Sequence, residues 1–71
     1  MTAQVIQEIS DARELTAMSR KLLEQADGMA RQAKSLSGPQ REELEAAARN
    51  LVEEAKRLAR LADRVVKRAA S

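Results

Sequence analysis

A Ser37-Gly38-Pro39 step breaks, close to its midpoint, a 71-residue chain that is otherwise rich in helix-forming residues. Proline lacks an amide hydrogen and its ring strikes the preceding turn, so it is excluded from a helix interior. At the first helical position that hydrogen is not needed, and proline is well tolerated. Gly38 can adopt the backbone angles that end one helix and begin another, and Ser37 is a second potential cap. Lys34 sits where a cation favours the end of a first helix, and Glu42 and Glu43 where carboxylates favour the start of a second. The sequence therefore predicts an all-α chain, an antiparallel helix-turn-helix hairpin. A first helix runs over about 2–36, a turn over 37–38 and a second helix over about 39–70, in a single domain spanning 1–71. Short connections of this kind make antiparallel neighbours.

The second half carries an unbroken heptad seam. Leu44, Ala48, Leu51, Ala55, Leu58, Ala62, Val65 and Ala69 follow one another at alternating spacings of four and three residues, with alanine at each a position and leucine or valine at each d position. Val52, Ala59 and Val66 at e, with Leu61 at g, widen the stripe. In the first half, Val5, Ile9, Ala12, Thr16, Ser19, Leu23, Ala26, Ala30 and Ala33 keep the same spacing, although Thr16 and Ser19 interrupt its apolar character. Leu15, Leu22, Met29 and Leu36 form a second track beside it, with Met18 on its outer side.

A hairpin that pairs the two seams is expected to leave Leu15, Leu22 and Met29, together with Val52, Leu61 and Val66, largely in water. Burying one such side chain is worth roughly 1.5–3 kcal/mol, so several together rival the stability of a small domain. Seventy-one residues without cysteine or aromatic side chains have no disulfide or bulky ring to compensate. Self-association is the simplest resolution: two hairpins completing an antiparallel four-helix bundle with two-fold symmetry. The residues assigned to that interface are Leu15, Leu22, Leu23, Met29, Ala48, Leu51, Ala55, Leu58, Ala62 and Val65. A foreign helix docking on the Leu15–Met18–Leu22 ridge is the alternative, since methionine suits adaptable binding surfaces.

Charge and chemistry narrow the classes further. Thirteen basic and eleven acidic residues leave a net charge of +2, too little to imply a polyanion partner. Arg57, Arg60, Arg64, Lys67 and Arg68 do gather late in the second helix, where they are able to track a nucleic-acid backbone. The helix dipole, which draws acids to a helix start and bases to its end, accounts for the same distribution without a partner. Glu53 with Arg57 and Asp63 with Lys67 are expected as helical ion pairs. The chain contains no His and no Cys, the usual bases, nucleophiles and transition-metal ligands. Its two glycines, Gly28 and Gly38, make no phosphate loop. No enzymatic activity and no cofactor or metal are expected. No apolar run reaches the roughly 20 residues of a bilayer span, and the amino terminus lacks the features of a secretion signal, so the reading is a soluble, cytoplasmic or recombinant protein without a membrane partner.

Two resemblances follow from these residues. The alternating Ala and Leu layers of Leu44 to Ala69 on a helical hairpin resemble the Rop family of small RNA-binding four-helix dimers. The resemblance lies in architecture and core pattern and implies a dimeric bundle. That family binds RNA through a face bearing an aromatic, and this chain has none, so no binding residue carries over. The stretch from Ser37 to Ser71 also resembles computationally designed helical bundles, with proline at the helix start, glutamate early, arginine and lysine late, and alanine and leucine inside. Met1 to Leu36 departs from that vocabulary at Thr16, Ser19 and Gly28. The seam itself gives a test. Leu58→Asp is expected to abolish folding and assembly together, because a carboxylate in that layer has no partner. A variant that retains helical circular dichroism and an associated mass contradicts the seam.

Overall fold

The computed structural model describes residues 2–71. Two helices, α1 (Ala3–Ala33) and α2 (Gly38–Ala70), fold back on each other along their length into a rod whose Cα atoms span 54 × 14 × 10 Å. Helix α1 starts at Thr2, whose extended backbone and hydroxyl cap the first turn: Thr2 Oγ1 accepts from the Val5 amide at 3.3 Å. That cap satisfies one of the amides a helix start leaves unpaired.

Helix α1 closes at Ala33, earlier than the expected 36. The chain tightens there: the amides of Lys34, Ser35 and Leu36 donate to Arg31, Gln32 and Ala33 at 3.2, 3.1 and 3.0 Å, each reaching back three residues rather than four. The connection is thus Lys34 to Ser37, longer than the two residues expected. Ser37 is extended and precedes α2, but its hydroxyl makes no capping bond. Gly38 takes φ +64°, the left-handed region in which a Cβ is strained, and it avoids the right-handed helical angles that a following proline disfavours. Because α2 begins at Gly38, Glu42 and Glu43 fall beyond its first turn, which holds no acidic residue. Lys67 and Arg68 do occupy its last turn, and Arg31 that of α1, where cations oppose the dipole.

Only small side chains are buried in the rod. The residues below a tenth exposed are Ala12, Ser19, Ala26 and Ala33 on α1, with Ala48, Ala55 and Ala62 on α2. Each set repeats every seven residues, so each marks one line along its helix. Ser19 fixes how the lines meet: its hydroxyl donates to the Ala55 carbonyl across the seam at 2.9 Å. Stepping one heptad either way brings Ala12 level with Ala62 and Ala26 level with Ala48. A further step brings Ala33 level with Arg41. Between these small layers the same register brings Leu15 close to the level of Leu58, Leu22 to that of Leu51 and Met29 to that of Leu44. These larger residues, with Val65 and Leu36, are half-buried. Alanine and serine at the contact line let the backbones approach closely, and the leucines fold over the gap.

The two glycines do opposite things, which a pair of substitutions separates. No atom lies within 4 Å of a Cβ built on either, so only backbone terms act. Gly28→Ala, inside α1, is expected to stabilise by up to about 1 kcal/mol through helix propensity. Gly38→Ala is expected to destabilise by roughly 1 kcal/mol through left-handed strain. Urea unfolding of both variants measures the two signs; equal effects contradict the assigned backbone at Gly38.

Candidate functional site

Around each helix the apolar stripe is wider than the contact line, and its excess falls on one side. Ile9, Thr16, Leu23 and Ala30 follow the buried positions of α1 on that side, and Val52, Ala59 and Val66 those of α2. The two rows share one face of the rod. A shallow groove of about 400 Å³ is lined by Ile9, Thr16 and Ala17 from α1 and Val66 from α2. A neighbouring recess joins Thr16 to Ala59 and Val66, and another joins Ala30 to Val52. Leu23 and Val66 are 44% and 46% exposed. Thr16, the polar member, turns its hydroxyl back onto the Ala12 carbonyl at 2.9 Å and so presents its methyl outward. Arg13 and Arg20 border the face along α1. Arg49 and Glu53 border it along α2 toward the turn, and Asp63 toward the open end.

The opposite face is built differently. The half-buried leucines lean toward it, but the next residues outward are Asp11, Gln25 and Gln32 on α1 and Glu54 and Arg68 on α2, with Met18 and Leu61 as exposed exceptions. The rod therefore has one apolar side and one mostly polar side.

The residues assigned to the interface from the sequence take different positions on the hairpin. Ala48, Ala55 and Ala62 are enclosed within the hairpin's own seam. Leu15, Leu22, Met29, Leu51, Leu58 and Val65 flank that seam half-buried, so Leu15, Leu22 and Met29 do not stand largely in water; nor does Val52, also half-buried, whereas Leu61 and Val66 are exposed as expected. Of the assigned residues only Leu23 projects well into solvent. The Leu15–Met18–Leu22 ridge is correspondingly interrupted: Met18 is exposed, while its two neighbours are engaged with α2. Ile9, Val52, Ala59 and Val66, absent from that assignment, share the face with Leu23. The signal lay in side-chain size. Leu15, Leu22 and Met29 outbulk Thr16 and Ala30, and the larger track is drawn into the hairpin while the smaller one is left outside.

The ion pairs lie along single helices. Asp63 and Lys67 meet at 2.9 Å as expected, but Glu53 pairs with Lys56 at 3.6 Å and Arg57 with Glu54 at 3.5 Å rather than with each other. Asp27–Arg31 and Arg41–Glu45, both at 2.7 Å, complete the set among the described residues. All are solvent-exposed pairs, each worth little to stability. Arg57, Arg60, Arg64, Lys67 and Arg68 are exposed; Arg60, Arg64 and Arg68 have no ion-pair partner among the described residues and point away from the seam. Among the described residues no helix is long and apolar enough to cross a membrane, and no three acidic residues converge as a metal site. No protein-family description, curated protein or solved structure matches the chain.

The Ser19–Ala55 bond allows the seam to be tested apart from the exposed face. Ser19→Ala removes one buried hydrogen bond but leaves a residue that fits, for an expected loss of about 0.5–1.5 kcal/mol. Ser19→Leu forces the helices apart and is expected to cost more, at least 1–3 kcal/mol from overpacking. Denaturant midpoints of the two variants give the order, and a leucine variant as stable as the alanine one contradicts close packing at this level.

Proposed function

We propose that this chain is a structural, self-assembling module, a hairpin that completes a four-helix bundle by pairing its apolar face with a second copy. The observation that carries this reading is the burial pattern: among the described residues, nothing larger than alanine or serine is enclosed. An interior of that kind contributes little apolar burial against the conformational entropy of 70 ordered residues. One side of the rod meanwhile presents Ile9, Leu23, Val52 and Val66. Covering that side removes several large aliphatic groups from water at once, and a symmetric hairpin is its own simplest partner.

In this reading the module has no catalytic role, and the chain's lack of His and Cys is in keeping with it. The idealised composition of α2 fits a chain designed or engineered to assemble. A foreign helix seated on Leu15–Met18–Leu22 has less in its favour, because two of the three residues are already engaged within the hairpin. Polyanion binding through Arg57, Arg60, Arg64, Lys67 and Arg68 has the helix dipole as a sufficient competing cause.

Multi-angle light scattering tests the proposal. The wild type is expected at twice the 7.8 kDa chain mass. The double variant Leu23→Glu, Val66→Glu, which puts carboxylates on the face but not in the seam, is expected to lose that mass. A wild type that is folded and monomeric at hundreds of micromolar overturns the reading.

A further inference from the structure

We draw no further inference here: the strongest candidate, the apolar face of the rod on which Ile9 and Leu23 of α1 and Val52 and Val66 of α2 lie between the bordering Arg13, Arg20 and Arg49, is an unpartnered surface, and nothing in the structure shows what covers it.

Discussion

The close approach of α1 and α2 across a line of alanines and one serine governs the rest of this structure. A residue with no more than a methyl or hydroxymethyl group at every seventh position lets two backbones meet with nothing bulky between them. The larger side chains must then lie beside the contact rather than in it. Ser19 adds a polar group to what is otherwise a uniform small-residue surface: the residue is 6% exposed, and its hydroxyl has to find an acceptor. The Ala55 carbonyl supplies one. A slip by a whole heptad would leave the alanine lines matched but place Ser19 at another level of α2.

That geometry sets what the hairpin hides and what it leaves exposed. Two rods touching along small residues gain dispersion contacts at short range, yet they hide little aliphatic surface. On the side toward the polar face, leucines cover the groove. On the other side, Leu23, Ala59 and Val66 are exposed, with Ile9 and Val52 half-buried beside them. The charges do not relieve this imbalance, because the ion pairs among the described residues run along single helices.

Much of this was legible from residue type and spacing. The Ser37-Gly38-Pro39 step located the reversal because proline and glycine restrict the backbone locally, and the even Ala/Leu alternation of α2 located its buried line. Helix α1 was harder. Ala12, Ser19, Ala26 and Ala33 belong equally to a track through Thr16 and Leu23 and to one through Leu15 and Leu22. Spacing alone does not choose between them; the volume that α2 can accommodate does. Ser19 read as an interruption for the same reason, since its acceptor lies 36 residues away and only the folded register supplies it. The length of the turn depended on backbone bonds from Lys34, Ser35 and Leu36, groups common to every residue and therefore without a sequence signature. Glu53, with Lys56 and Arg57 both in reach, was decided by side-chain geometry.

Whether the hairpin depends on association for its stability is most directly measured by thermal unfolding as a function of protein concentration. Circular dichroism melts from about 1 μM to 1 mM should give a midpoint that climbs steadily, because mass action stabilises a folded state that exists as an assembly. A midpoint that stays constant across that range, at a monomeric mass throughout, would mean that the alanine seam suffices by itself and that the exposed face has no structural role.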